Sequence, residues 1–133
     1  MTPHPLELAR LMKISVEDVQ SSRIRIAEEF IKEAGRSVTL VLKGSSTLVI
    51  SRNGLMINSS GSSAFAKAGT GDVLAGLTAS LVASLTEAHN AAALAVYYHG
   101  LAADRLAKKL SPIGVIPSDL PREIAMAIAE EYK

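Results

Sequence analysis

The residues best suited to chemistry stand together at Gly69-Thr70-Gly71-Asp72. Glycines at 69 and 71 accept backbone angles that a Cβ forbids, and they let a ligand approach the main chain closely. From Asp72 onward, Val73, Leu74, Leu77, Leu81 and Val82 recur with the spacing of a buried helix face. A glycine-rich turn that opens a helix leaves several N–H groups unpaired. With the positive end of the helix dipole, they suit an anion such as a phosphate. Ala68, Gly69, Thr70 and Gly71 would supply those donors. Asp72 would accept a proton from a group held beside the anion. Glycine turns before helices are also common, and Asp is an ordinary first-turn residue. On these residues alone a purely structural turn is an equal alternative.

Composition narrows the remaining classes. The chain has 133 residues and is read as one domain, residues 1–133, with enough length for a core. Hydrophobic residues make up 48% and the net charge is +1, which argues for a globule and against disorder. With no basic run, nucleic acid is a poor partner. The absence of cysteine excludes disulfides, thiolate metal sites and thiol catalysis. His4, His89 and His99 are scattered without metal-ligand spacing, so no metal residues are assigned. No signal peptide precedes the first motif and no apolar run is long enough to span a bilayer, so a soluble, cytoplasmic protein is the default expectation.

The elements that must position the motif follow from periodicity. Leu6 to Lys13 reads as a short helix after the proline-extended Met1–Pro5 segment. Ser15 caps a second helix, Val16 to Ala34, with Asp18 as a capping box and Val19, Ile24, Ile26, Ala27, Phe30 and Ile31 facing a core. Gly35 ends it. Val38–Leu42 reads as a buried strand and Thr47–Ser51 as a second. Asn53-Gly54 is expected at the centre of a hairpin turn leading to Leu55–Asn58. A polar loop, Ser59–Ser63, enters the motif. Helices are expected from Thr70 to about Leu85 and from Glu87 to about Leu110, then a loop from Ser111 to Pro117. Ser118 or Asp119 caps a last helix that buries Ile124, Met126, Ile128 and Ala129 and ends at Lys133. The sum is α/β, with about three or four strands including a β-hairpin, and about five helices. So narrow a sheet leaves an edge or a face uncovered, which points to a partner chain or a missing segment.

In order along the chain stand Thr2-Pro3-His4-Pro5, Val41-Leu42-Lys43-Gly44 with Thr47, Asn58 with Gly61, Ala68 to Gly76, and Tyr98-His99-Gly100-Leu101-Ala102 with Asp104. This ordered set resembles the C-terminal half of the ADP- or ATP-dependent NAD(P)H-hydrate dehydratases of the ribokinase-like superfamily. Leu6, Ser62 and Lys67-Ala68 depart from the family's usual residues. The resemblance implies a truncated ribokinase-like fold and repair of hydrated NADH and NADPH. A nucleotide phosphorylates the C6 hydroxyl of the hydrated ring, and phosphate then leaves to restore the double bond. It further implies that Lys43, Gly44, Ser45, Ser46 and Thr47 line the nucleotide with Ala68 to Gly71, that His4 and Asp72 touch the hydrated cofactor, and that Asp72 takes the hydroxyl proton. ADP or ATP would be the phosphoryl donor, with Mg2+ bridging its phosphates.

Each transferred role has a plainer alternative. Lys43 reads equally as a solvated lysine in a turn, and His4 as a surface imidazole between prolines. Lys67 and His89 read as exposed, and His99 and Asp104 as helix packing and capping residues. A non-catalytic nucleotide-binding remnant and a carbohydrate or vitamin kinase of the same superfamily are the competing functions. Self-association, or a separate polypeptide supplying the N-terminal half, is the expected partner arrangement.

Overall fold

The computed structural model describes residues 1–35, 37–61, 67–85 and 87–131. The expected polar approach at Ser62 and Ser63, and the end of the last helix at Lys133, lie outside the described residues. The chain divides into two compact units, Met1–Asn58 and Ser59–Lys133.

The first unit holds α1 (Pro5–Met12), α2 (Val16–Ser21), α3 (Arg23–Ala34) and a sheet of β1 (Leu40–Leu42), β2 (Leu48–Ser51) and β3 (Gly54–Ile57). The strands lie in the order β1-β2-β3, with both pairs antiparallel. Leu40 stands opposite Ile50 and Leu42 opposite Leu48. Their side chains share one face and meet Leu8, Val19, Ile26 and Ile31 in a core. Burying apolar side chains of this size stabilises by roughly 1.5–3 kcal/mol each. Residues 1–3 also run beside β1. Val41 N–H donates to Met1 O at 2.8 Å and Lys43 N–H to Pro3 O at 2.9 Å, while Met1 N donates to Thr39 O at 2.8 Å. Donors and acceptors advance in the same direction on both segments, so this pairing is parallel. Pro3 has no N–H to continue it.

Two expectations change here. The Val16–Ala34 helix is broken at Ser22, which has φ −139° and ψ 46°. Asp18 O accepts both the Ser22 N–H and the Ser21 hydroxyl at 3.2 Å, so the last turn of α2 closes before the break. Past the break Ile24 faces solvent at 42% exposure, not the core. In the hairpin, Ser51 pairs with Gly54, so Arg52 and Asn53 form the two-residue loop. Only Gly54 takes a positive φ, +138°, so the turn is not centred on Asn-Gly.

The second unit holds α4 (Thr70–Ser84), α5 (Ala88–Gly114), a 3-10 turn (Pro117–Asp119) and α6 (Leu120–Glu131). Its core joins Ala102, Ala103, Leu106, Val115, Leu120 and Ile124, with Val73 and Leu77 packed against it. The many alanines of α5 let α4 and α6 approach closely. The expected loop after Leu110 is instead a short helical continuation to Gly114, set off by Ser111 at φ 62° and ψ 156°. A residue before proline is driven out of the helical region, and Pro112 follows. On α6 the buried side is Leu120, Glu123, Ile124 and Ala127, so Met126 and Ala129 are exposed. On α4 only Leu74 is fully buried, and the expected face of Val73, Leu77, Leu81 and Val82 is partly or wholly exposed.

Candidate functional site

Gly69 caps α4 from the left-handed region, at φ 93° and ψ −20°. A Cβ there would lie 3.3 Å from Pro117 Cγ, so the angle favours glycine and the neighbour leaves a side chain little room. Thr70 N–H donates to Lys67 O at 3.3 Å, and Thr70 Oγ1 donates to the same carbonyl at 2.8 Å. Asp72 and Val73 N–H both point back to Gly69 O, at 3.2 and 3.3 Å. The Gly69 and Gly71 amides have no such partner among the described residues, and Ala68, Gly69 and Asp72 are exposed. Two amides unpaired among the described residues therefore lie at the start of a fifteen-residue helix whose first turn holds Asp72. Together they offer hydrogen bonds to an anion and a base next to it.

Helix α5 holds both flanks of this motif. Asp104 Oδ2 accepts Gly61 N–H at 2.8 Å, and Tyr97 O accepts Ser60 Oγ at 2.8 Å. Gly100 lies against Ser60 so closely that a Cβ would come within 2.7 Å of Ser60 backbone atoms. On the far flank, His99 Nε2 is 3.0 Å from Thr70 O. A carbonyl can only accept, so Nε2 carries the proton. Burial lowers the His99 pKa, an effect the bond to Thr70 O opposes. His99 and Asp104 thus hold the motif against α5, His99 at Thr70 and Asp104 at Gly61, in the helix-packing and capping roles that the sequence reading gave them.

Lys67, read as exposed, is a correction. Its ammonium donates to Ile113 O at 3.0 Å and Val115 O at 2.6 Å, closing the C-terminal end of α5. Such carbonyls are unpaired in a helix and attract a cation. His89, expected at the surface, is 3% exposed, because it shares a face with buried Ala92 and Val96.

In the first unit, Lys43 begins the turn that follows β1. Gly44 has φ +138° and Ser46 φ +53°, and Thr47 Oγ1 donates to Gly44 O at 3.1 Å, closing the turn. Lys43 Nζ stands 3.7 Å from Glu7 Oε2. His4 caps α1, accepting Glu7 N–H on Nδ1 at 3.2 Å, while His4 N–H donates to Glu7 Oε2 at 2.6 Å. That backbone bond, helped by the charges of Lys43 and His4, holds the Glu7 carboxyl below its usual range. His4, Glu7 and Lys43 are therefore one linked group, and Leu6, in the first turn of α1, is 43% exposed.

Residues 1–126 match the family described as NAD(P)H-hydrate dehydratase. The chain belongs to that family. It is 38% identical over 128 residues to the ADP-dependent (S)-NAD(P)H-hydrate dehydratase of Neisseria meningitidis, covering 96% of this chain and 42% of that protein. Against the bifunctional NAD(P)H-hydrate repair enzyme Nnr of Moorella thermoacetica it is 36% identical over 121 residues, covering 90% of this chain and 22% of the relative. The ADP/ATP-dependent NAD(P)H-hydrate dehydratase of Bacillus subtilis, co-crystallised with ATP/Mg2+ and soaked with CoA, superposes with a TM-score of 0.82 at 31% identity. That match covers 92% of this chain and 46% of the other. A ribokinase-like superfamily protein of Enterococcus faecalis gives a TM-score of 0.78 at 28% identity, over 97% of this chain and 43% of its own. The fold is thus part of a ribokinase-like domain, and the chain spans less than half the length of these relatives.

The expected site residues fall into two sets. His4 and Lys43–Thr47 belong to the first unit, and Ala68–Asp72 to the second. Sequence reading missed Glu7 and Arg23 in the first set, and the partners of Asp104 and His99 in the second. Arg23 left no usable local signal, because it falls inside the stretch that the sequence reads as one helix, Val16 to Ala34.

Proposed function

We propose that this chain carries the nucleotide-binding and proton-accepting portion of an ADP-dependent NAD(P)H-hydrate dehydratase. In this reading Ala68 to Gly71 receive the terminal phosphate through the open Gly69 and Gly71 amides, and Lys43 to Thr47 line the rest of the nucleotide. Asp72 orients the C6 hydroxyl of the hydrated ring and takes its proton as the oxygen bonds to the phosphorus. The bond between that phosphorus and the bridging oxygen of the donor breaks. Phosphate then leaves the ring, a ring proton is lost, and the double bond returns. Phosphoryl transfer needs positioning and charge stabilisation more than covalent help, and amides aimed at the developing charge provide the second. His4 faces the hydrated cofactor, with its ring orientation set by capping α1.

Among the described residues, no three His, Cys, Asp or Glu side chains gather into a metal cage. A Mg2+ held mainly by phosphates and water needs no such cage. The residues fit an ion that arrives on the nucleotide, where it would neutralise phosphate charge.

The observation that carries the reading is the Gly69–Asp72 turn, exposed at Gly69 and Asp72, with the Gly69 and Gly71 amides unpaired among the described residues, in a chain of this family. A nucleotide-binding protein without turnover is the second reading; the chain spans less than half the length of the relatives. A second polypeptide carrying the N-terminal half, or a second copy, would complete the site. Incubation with hydrated NADH and ADP, followed by the absorbance of restored NADH, separates the two. Turnover, alone or with the N-terminal half added, supports the dehydratase. ADP binding without turnover in either case leaves the second reading standing.

A further inference from the structure

We propose that Arg23 is a positioning residue for the nucleotide, acting through the Lys43-Gly44 backbone. This rests on the reading that Lys43–Thr47 lines the nucleotide. Arg23 opens α3, yet its side chain crosses to the end of β1. Nη2 donates to Leu42 O at 3.2 Å and to Lys43 O at 3.4 Å, and Nη1 donates to Lys43 O at 3.4 Å. A guanidinium presents its donors in a fixed plane, so one side chain holds two successive carbonyls at a set angle.

Three further observations indicate that this placement matters to the turn. A Cβ on Gly44 would lie 2.6 Å from Arg23 Nη1, so the guanidinium occupies the space a side chain at 44 would need. Gly44 also has φ +138°, a conformation that glycine alone adopts readily, so position 44 brings no side chain of its own to the turn. Finally, Arg23 has no carboxylate partner among the described residues, and burial lowers its pKa. A charged group placed partly out of water, at the disfavoured end of a helix dipole, is costly unless its contacts are needed. Those contacts are the last carbonyl of β1 and the carbonyl of Lys43 itself. From there the chain fixes where the Lys43 ammonium starts and which way the Gly44 and Ser45 amides face.

The test is a calorimetric titration of ADP into the full chain and three variants. Arg23→Met keeps the apolar stem and removes the fork, and the expected result is ADP binding weakened on the order of tenfold. Arg23→Lys keeps the charge and restores part of the affinity. Ile31→Val destabilises the same helix from its buried side without touching the turn, and leaves affinity unchanged at temperatures where the protein stays folded. Arg23→Met binding like the wild type, or Ile31→Val losing as much affinity as Arg23→Met, overturns the positioning role. Failure of the unaltered chain to bind ADP overturns the nucleotide reading itself, a separate outcome.

Discussion

Asp72 and Gly69 carry the sharpest expectations. Asp72→Asn removes the proposed base and leaves the amides, and the expected result is loss of turnover in the competent assembly with ADP binding retained. Undiminished turnover removes Asp72 from the mechanism. Gly69→Ala forces a side chain into a positive-φ position and against Pro117. It costs about 1–3 kcal/mol in chemical denaturation and weakens ADP binding. His99 gives a pH signature. Its folded-state pKa is lowered by burial from an ordinary value of 6.5. As pH falls below about 6.5 the unfolded chain gains a proton that the folded ring resists. Stability therefore rises with pH through that window and falls on acidification. The slope should be smaller in His99→Gln, and an unchanged slope contradicts a neutral, buried ring.

The elements show why some of this was legible and some was not. Strongly patterned pieces were readable: the Ser15 capping box, the apolar strands and the glycine start of α4 appear where local chemistry puts them. The break at Ser22 was not, because helical periodicity continues through it. Lys67 was misread, and the partners of His99 and Asp104 went unseen, for a shared reason. Their partners lie 46 and 48, 29, and 43 residues away, beyond the reach of any local pattern. Between α5 and α6, Lys109 Nζ donates to both carboxylate oxygens of Glu123, at 2.9 and 2.8 Å, and Glu123 is 5% exposed. Lys109→Met strands that carboxylate and should cost about 1–3 kcal/mol. The double variant Lys109→Met with Glu123→Leu should recover most of the loss, because no buried charge remains. Equal denaturation midpoints for the single variant and the wild type contradict a working pair.

At the scale of the whole molecule, α4 is apolar around its circumference, yet only Leu74 is fully buried. Helices of that composition are ordinarily covered on all sides. In the first unit, β3 exposes Leu55, Met56 and Ile57. The relatives are more than twice as long as this chain, and we propose that the remainder of such a fold covers these surfaces. We expect the isolated chain to bind a hydrophobic dye and to associate with rising concentration in sedimentation. A polypeptide carrying the N-terminal half should suppress both. A monomer at every concentration that takes up no dye would contradict this.

The central claim is that the Gly69–Asp72 turn grips a nucleotide's terminal phosphate, and calorimetry with ADP tests it most directly. The expected result is saturable binding to the full chain that is sharply weakened in Gly69→Ala and retained in Asp72→Asn. An ADP titration with no heat beyond dilution, or with the same isotherm for Gly69→Ala as for the wild type, would contradict it.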